Sequence, residues 1–240
     1  MIFMELTNEH LTRQLDLIPM KSLGLPIKVI GAGAIGSFAA LQLVKMGFTD
    51  LEVWDFDSVS VENMSCQFYR FKDIGKPKVE ALKELILDFT GVEIEVHNER
   101  YTPNPAHNGV VLVAVDCMEA RKQIWNSITS SMFNVSYVID PRMGAEDCAL
   151  YVMNPFDGKD STAYEKTLYT NAAAVQERCT AKATIYTSNL LSGMVAKAIK
   201  NIACKQPYPR ITQWSIANNH CLQWSHSNEA QWKEENTVPF

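Results

Sequence analysis

The stretch VIGAGAIGSF, residues 29–38, constrains the fold more than any other part of the chain. It contains the pattern G-x-G-x-x-G at Gly31, Gly33 and Gly36, directly after an apolar run and at the start of a segment with helical periodicity. In a strand–turn–helix unit, the first glycine allows a tight turn, the second lets a phosphate approach the backbone, and the third lets the helix pack on the sheet. The sequence therefore predicts a β–α unit that binds a nucleotide phosphate at the helix N-terminus.

The rest of the chain alternates short apolar runs with segments of helical periodicity. Such alternation predicts an α/β fold of the Rossmann-like, doubly wound kind, with a mostly parallel sheet and helices on both faces. The sequence ITQWSIANNHCLQWS predicts a C-terminal β-hairpin that turns at Asn218 and Asn219. The predicted strands are 27–30, 51–54, 92–96, 110–115, 137–139 and 149–153, and the predicted helices are 35–46, 77–89, 119–128 and 181–202.

We expect a single domain over residues 1–240, because 240 residues suffice for one α/β core. Residues 1–25 are interpreted as an N-terminal arm with a short helix. The polar, poorly periodic stretch 154–182 predicts a mobile crossover loop, since long loops in compact domains are usually functional. Residues 228–240 are expected to form a loose tail.

Composition excludes several classes of protein. The net charge of -5 disfavours nucleic-acid binding, which needs a basic surface. No apolar run approaches the ~20 residues that span a bilayer, so we expect a cytoplasmic protein without a membrane contact. The six cysteines form no C-x-x-C pair, so we expect that the protein has no disulfide framework and no zinc site.

Polar residues follow the second predicted strand, where the ligand crevice of such a sheet is expected. Asp55 ends that strand nineteen residues after Gly36, where a carboxylate can accept hydrogen bonds from ribose hydroxyls. Asn63, Gln67 and Arg70 come soon afterwards and are expected to face the same crevice. Both a dinucleotide and ATP contain ribose, so these residues leave the choice of nucleotide open.

The segment DIGKPKVEAL favours a triphosphate. Lys76 and Lys78 flank Pro77 at the predicted N-terminus of a helix, where the helix dipole disfavours cations. Charge on the β- and γ-phosphates would explain Lys78 at this position. Two solvated surface lysines are the alternative.

Asp116 ends another predicted strand, in VAVDCMEAR, and faces the same crevice. A carboxylate next to a triphosphate implies an intervening cation, so Asp116 is a candidate Mg²⁺ ligand. It could equally cap the next helix.

Cys179 is the best candidate nucleophile among the cysteines. It follows Arg178 and precedes the last predicted helix, and both the cation and the helix N-terminus would favour a thiolate. A packed, unreactive cysteine is the alternative.

Taken together, these residues resemble the ThiF–MoeB–HesA family, the bacterial relatives of ubiquitin-activating enzymes. The resemblance runs from about Arg13 to Ile202. It rests on the glycine turn, WDFD at 54–57, VSVEN at 59–63, Gln67, DIGKPK at 73–78, Asp116 with Arg121, and Cys179 before the last long helix.

The resemblance implies ATP- and Mg²⁺-dependent adenylation of the C-terminal glycine of a ubiquitin-like protein. It assigns Asp55 to the ribose, places Asp57 in the cofactor site, and assigns Asn63, Gln67 and Lys78 to the phosphates and Asp116 to Mg²⁺. TRQ at 12–14 matches the amino-terminal arginine–glutamine element of the family, which implies that Arg13 acts on the partner's ATP in a homodimer. Cys179 would carry a thioester, and a conjugating enzyme or a sulfur donor would be a further partner.

The chain departs from the family pattern at one phosphate-binding position. Many members have an arginine where this chain has Cys66, and Arg70, one helical turn away, is a candidate replacement. The paired zinc cysteines of many members are absent.

Three other functions stay open. One is a nicotinamide-dependent oxidoreductase, which would use the glycines and Asp55 but leave Asn63, Gln67, Lys78 and Asp116 without a role. The second is a non-catalytic subunit that binds ubiquitin-like proteins. The third is adenylation of a short peptide or of a modified tRNA base.

Overall fold

The computed structural model describes residues 8–104, 107–130, 134–168 and 183–225, and these form an eight-stranded sheet in the order β3-β2-β1-β4-β5-β6-β7-β8. Strands β1 to β5 pair in parallel, and β6 to β8 continue the sheet with antiparallel pairing. The strands are β1 (Ile27–Ile30), β2 (Leu51–Trp54), β3 (Glu95–His97), β4 (Asn108–Val113), β5 (Asn134–Gly144), β6 (Asp147–Met153), β7 (Ile211–Ser215) and β8 (His220–Trp224).

Helices cover both faces of the sheet, which confirms the predicted fold class. One apolar core lies beneath α2, α3 and α6, and a second, centred on Trp125 and Tyr164, lies beneath α4 and α5. The helices are α1 (Asn8–Leu11), α2 (Gly36–Lys45), α3 (Lys78–Thr90), α4 (Met118–Ser130), α5 (Gly158–Glu165) and α6 (Ile185–Ala203), and short 3-10 turns lie at Met20–Ser22, Val61–Ser65 and Phe71–Asp73. None of the described helices combines the length and the apolar character that crossing a bilayer requires.

The main error in the predicted elements concerns residues 154–182. A helix, α5, forms within this supposed loop because Asp157 accepts hydrogen bonds from the backbone N–H groups of Lys159 and Asp160. Residues 169–182 lie outside the described part of the chain. The last long helix begins at Ile185 rather than near 181, and the side chain of Thr184 caps it.

The other elements agree more closely with the sequence. The C-terminal hairpin is confirmed, with Asn219 at a φ of 51° in its turn. β5 is longer than predicted, because it continues through Pro141 to pair with β6 in antiparallel register. β3 begins later than predicted, since Gly91 ends α3 in the left-handed conformation and an irregular stretch follows.

A buried ion cluster joins β5 to α4 and α5. Asp140 on β5 is fully buried, and its oxygens accept hydrogen bonds from Arg121 Nε (2.9 Å), Arg142 Nε (2.8 Å) and the Tyr164 hydroxyl (2.8 Å). Arg142 donates in addition to the backbone and side-chain oxygens of Thr167. Burial by itself would raise the pKa of Asp140, but the two guanidinium groups hold that pKa below its ordinary value. The cluster therefore fixes the chain up to Thr167.

Candidate active site

The glycine turn between β1 and α2 needs its first and third glycines for steric reasons. Gly31 has a φ of 99°, and a Cβ there would lie 2.5 Å from the carbonyl oxygen of Ala114. A Cβ on Gly36 would collide with the carbonyl oxygen of Gly31, so only glycine at this position allows the backbone of the turn to pack this closely. A Cβ on Gly33, by contrast, would meet nothing within 4 Å. The surface at Gly33 is therefore open to a ligand.

The N-terminus of α2 is available to an anion. Its N-cap residue, Ile35, is apolar and makes no side-chain hydrogen bond to the first turn. Such a helix end presents backbone N–H groups and the positive end of the helix dipole. The helix start can thus bind a phosphate group beside Gly33.

Two side chains hold the glycine turn through the backbone of Ala32. Asp55, at the end of β2, accepts a hydrogen bond from Ala32 N (2.7 Å) with one oxygen and from Asp57 N (2.8 Å) with the other. The Tyr69 hydroxyl donates to the carbonyl oxygen of Ala32 (2.6 Å). Burial raises the pKa of Asp55 above its ordinary value, while the two N–H groups act in the opposite direction. Asp55 thus holds the glycine turn in place. The family resemblance implies, in addition, that Asp55 contacts the ribose.

Lys78 is joined to the glycine turn by a continuous series of polar contacts. Its Nζ lies 2.9 Å from Asp57 Oδ2, Asp57 N donates to Asp55, and Asp55 accepts from the turn. The backbone N–H of Lys78 also donates to Asp57 O (2.9 Å). The sequence left open that Lys78 is a solvated surface lysine, but only 9 % of this side chain is exposed. A buried ammonium group is costly to desolvate, so Lys78 is more than a solvated surface residue.

Lys76 and Arg70 belong to a separate ion network on the outer side of α3. Lys76 Nζ lies 2.7 Å from Glu84, and its side chain is 38 % exposed. Arg70 donates to Asp73, Glu84 and Asp88. The guanidinium of Arg70 is thus bound to these carboxylates, and its expected contact with a phosphate stays a prediction.

Asn63 and Gln67 lie in the segment that follows β2. Asn63 Oδ1 accepts from Ser60 N (2.9 Å) and caps the 3-10 turn Val61–Ser65, so its oxygen has a local structural role. Gln67 Oε1 is buried and has no hydrogen-bond partner among the described residues. A buried amide oxygen without a donor is rare in folded proteins, and a bound ligand would supply the donor.

Asp116 follows β4 at the same edge of the sheet and is exposed. It does not act as the cap that the sequence left open, since Cys117 Sγ accepts the hydrogen bond from Ala120 N (3.4 Å) at the start of α4. An exposed carboxylate with free lone pairs fits the oxygen ligands that Mg²⁺ prefers.

Arg13 lies far from the glycine turn of its own chain. The neighbouring Gln14 donates to the carbonyl oxygen of Met46 (2.9 Å), just beyond the C-terminus of α2. Leu11 packs there too, near Gly47. The turn is at the other end of α2, whose ten residues span about 15 Å. Arg13 is exposed at this distal end.

Cys179 lies outside the described residues. The helix that was expected to favour its thiolate begins at Ile185.

Sequence reasoning missed Tyr69 and Ser37 in this site. Ser37 Oγ donates to Gly33 O (2.7 Å) and accepts from Phe68 N (3.0 Å), which fastens the segment after β2 onto the glycine turn. The tyrosine in VENMSCQFYR, within a run of polar residues, was the available signal.

The sequence matches the ThiF family over residues 22–236. It is 39% identical over 104 residues to the NEDD8-activating enzyme E1 catalytic subunit of Arabidopsis thaliana, a match that covers 41% of this chain and 23% of that protein. It is 36% identical over 77 residues to ubiquitin-like modifier-activating enzyme 5 of Caenorhabditis elegans, which covers 32% of this chain and 18% of that protein. The matches thus span less than a quarter of each relative.

Among solved structures, Escherichia coli MccB in complex with AMPCPP and MccA has the same fold, with a TM-score of 0.66 and 13% identity. The match covers 88% of this chain and 66% of that chain.

Proposed function

This chain belongs to the ThiF family, and on that premise we propose that it adenylates the C-terminal carboxylate of a ubiquitin-like protein with ATP. Both relatives are named as activating enzymes, one for NEDD8 and one for a ubiquitin-like modifier. Their similarity supports an activating enzyme of this family, and the substrate class is our proposal.

The connection from Lys78 to the glycine turn carries the proposal. It places a buried ammonium group on the same polar series as the uncapped start of α2, through Asp57 and Asp55. A helix N-terminus and a cation at one sheet edge together suit several phosphates in a row.

The reaction needs positioning and charge neutralisation more than acid–base chemistry. The substrate carboxylate is already ionised at neutral pH and attacks the α-phosphorus of ATP. A carboxyl oxygen–phosphorus bond forms, the bond to the β-phosphate oxygen breaks, and pyrophosphate leaves with the bonding electrons. We propose that Lys78 stabilises the negative charge on the departing pyrophosphate. The N-terminus of α2 would bind the phosphates, and Asp55 would bind the ribose.

The residues at the sheet edge also fit magnesium. Asp116 would hold Mg²⁺, which would neutralise phosphate charge when bound. We assign Gln67 Oε1, which lacks a donor within the described residues, to a donor on the bound nucleotide or on its hydration shell.

The position of Arg13 is compatible with a contact to the active site of a partner subunit. The distal position of Arg13 prevents a contact with the glycine turn of the same chain without a large rearrangement. We therefore propose a homodimer in which Arg13 completes the active site of the partner.

The fate of the adenylate is a separate proposal. We propose that Cys179 accepts the acyl group as a thioester and releases AMP, before a conjugating enzyme or a sulfur donor consumes it. A Cys179→Ala protein should form the adenylate but no link to the substrate that a thiol reductant cleaves. Normal transfer by this variant would remove Cys179 from the reaction.

A short peptide is the second candidate substrate. MccB, whose fold this chain shares, was solved with MccA, and the match covers 66% of MccB. Substrate panels should therefore contain both ubiquitin-like proteins ending in Gly-Gly and short peptides with free C-termini.

The neighbouring lysines provide a matched test of the nucleotide site. Lys78→Met should reduce ATP–pyrophosphate exchange by about 100-fold or more, because it removes charge stabilisation of the leaving phosphates. Lys76→Met should leave exchange unchanged, since Lys76 pairs with Glu84 on the outer side of α3. Circular dichroism and thermal melting verify that both variants fold.

Equal exchange in the two variants would overturn the role of Lys78. Calorimetric titration of the wild-type protein with Mg²⁺–ATP and with NAD separates the proposed function from an oxidoreductase. Binding of NAD and not of ATP would exclude adenylation.

A further inference from the structure

The outer edge of the sheet carries a second cluster of potential ligands, on strands β2 and β3. Glu52 on β2 and Glu95 on β3 are direct neighbours in the parallel register, and His97 is two residues further along β3. Their side chains alternate with Val53 and Val96, which pack in the core beneath α2 and α3, so they lie on the opposite face. We propose that Glu52, Glu95 and His97 bind a divalent transition-metal ion of the zinc class.

The spacing of the three ligand atoms suits a tetrahedral ion. His97 Nε2 lies 3.3 Å from Glu52 Oε2 and 3.6 Å from Glu95 Oε1, and all three atoms lie within 4.8 Å of one another. Zinc bonds of about 2.0–2.1 Å place two tetrahedral ligands about 3.3 Å apart. Within the described residues, this is the one group of three or more His, Cys, Asp or Glu side chains with such spacing.

A hydrogen bond from His97 to the two glutamates explains these distances less well than a bound metal ion does. The Nε2 atom carries at most one hydrogen, but two carboxylates approach it. Both distances exceed the 2.7–2.9 Å that is typical of a charge-assisted hydrogen bond. An ion at the centre of the three atoms would use the lone pair of Nε2 and one oxygen from each carboxylate.

Neighbouring side chains orient two of the three ligands. The Trp54 indole stacks on the His97 ring with a centroid distance of 4.2 Å and an interplanar angle of 10°. Lys28 Nζ lies 3.1 Å from Glu52 Oε1, which leaves Oε2 to face His97. Partners that orient metal ligands in this manner usually matter for affinity.

A cavity beside the cluster offers room for a solvent ligand. It has a volume of about 470 Å³, and Glu52, Trp54, His97, Glu99, Thr102 and His107 contribute to its lining. Three protein ligands plus an open position is the arrangement of zinc sites that bind water or a small molecule. Between β3 and β4, the described residues 98–104 and 107 form no helix.

The sequence predicted that a zinc site built from cysteines is absent. The site proposed here has ligands of a different type. The expected lack of zinc rested on the lack of paired cysteines, whereas these ligands are one imidazole and two carboxylates. The site also lies next to the proposed nucleotide site, since Asp55 N donates to His97 O (3.2 Å). A bound ion would therefore tie the edge strand β3 to β2 just before Asp55.

Titration of the chelator-treated, full-length protein tests the proposal. Zn²⁺ should bind with a stoichiometry of one per chain in competition with a chromophoric chelator. Co²⁺ should give the visible absorption of a tetrahedral site without a sulfur charge-transfer band. His97→Gln and Glu95→Gln should each weaken Zn²⁺ binding by at least about 100-fold, because the loss of a direct ligand exceeds the 10–100-fold loss of an orienting partner.

Exposed residues of the same types supply the controls. His220→Gln on β8 and Glu80→Gln on α3 should retain the wild-type affinity for Zn²⁺. Glu95→Gln should also retain ATP–pyrophosphate exchange, which separates this proposal from the proposed function. Wild-type affinity in His97→Gln and Glu95→Gln, a sulfur band with Co²⁺, or no stoichiometric binding would each overturn the site.

Discussion

Two groups of charged side chains lie on the same sheet, and their pairing differs. In the ion cluster of Asp140, Arg121 and Arg142, each oxygen of the central carboxylate has a partner, and the carboxylate is fully buried. At the carboxyl edge of β1, β2 and β4, Lys78 has one carboxylate partner that is itself half exposed, and Asp116 is exposed.

This difference distinguishes charged side chains that stabilise the fold from charged side chains that are candidates for binding and catalysis. A closed set of partners satisfies the charges within the fold, and removal of one member leaves the others buried without compensation. An open set can take part in binding a charged ligand, because some of its members, here Asp57 and Asp116, are exposed. The comparison predicts that substitutions in the ion cluster act on stability, and that those at the open edge act on activity.

The largest expected effect is on stability, in the ion cluster. Asp140→Asn should lower the free energy of unfolding by about 3–5 kcal/mol, because two buried arginines lose their counter-charge. Glu84→Gln, which disturbs the exposed pairs with Arg70 and Lys76, should cost less than about 1 kcal/mol. Urea unfolding measures both values, and equal costs would refute the contrast between closed and exposed pairs.

Asp116→Ala at the open edge, and Arg13→Ala at the distal end of α2, should each reduce ATP–pyrophosphate exchange by about 100-fold or more without loss of stability. If Arg13 acts on the partner, mixing the two variants should restore up to about a quarter of the wild-type rate. Half of randomly exchanged dimers are mixed, and each mixed dimer has one intact site. Failure to complement after demonstrated subunit exchange would place Arg13 outside the site.

Acid should destabilise the protein through the ion cluster. The folded-state pKa of Asp140 lies below its ordinary value, because the attraction of Arg142 and Arg121 outweighs the opposing effect of burial. Its contribution to stability is therefore complete above the ordinary pKa of about 4, and is lost as pH falls through the lower folded-state value. Urea unfolding from about pH 5 to pH 3 should show a steeper loss in the wild type than in Asp140→Asn. Parallel slopes would assign acid sensitivity to other carboxyl groups.

The smallest expected effect concerns Tyr69. Tyr69→Phe should cost about 1 kcal/mol of stability and weaken ATP binding several-fold, because the carbonyl of Ala32 loses its donor and the glycine turn loosens. Tyr186→Phe, whose hydroxyl bonds to Glu146 at the surface, is the matched control and should change neither quantity. Unchanged ATP affinity in Tyr69→Phe would limit Tyr69 to a role in folding.

The fold was predictable because its signals are local. The glycine turn, the apolar runs and the helical periodicity each act within about ten residues, and they identified β1, α2, β2 and the C-terminal hairpin. The helix α5 escaped prediction because its apolar pattern is weak and its stability depends on the Asp157 cap and on packing of Tyr164 against Trp125. That packing joins residues 39 positions apart, which local periodicity does not register.

The sequence by itself determined the fold class, the glycine turn and the resemblance to the family, because spacing along one strand–turn–helix unit carries this information. Only the tertiary structure decided which charged side chains are free to bind. Lys76 and Lys78 differ by two positions and share one motif, but the start of α3 directs one to Glu84 and the other to Asp57. The guanidinium of Arg70 likewise lies against carboxylates on α3, a pairing that the sequence did not indicate. Pairing between distant segments depends on how helices and strands pack, and the order of residues alone does not specify it.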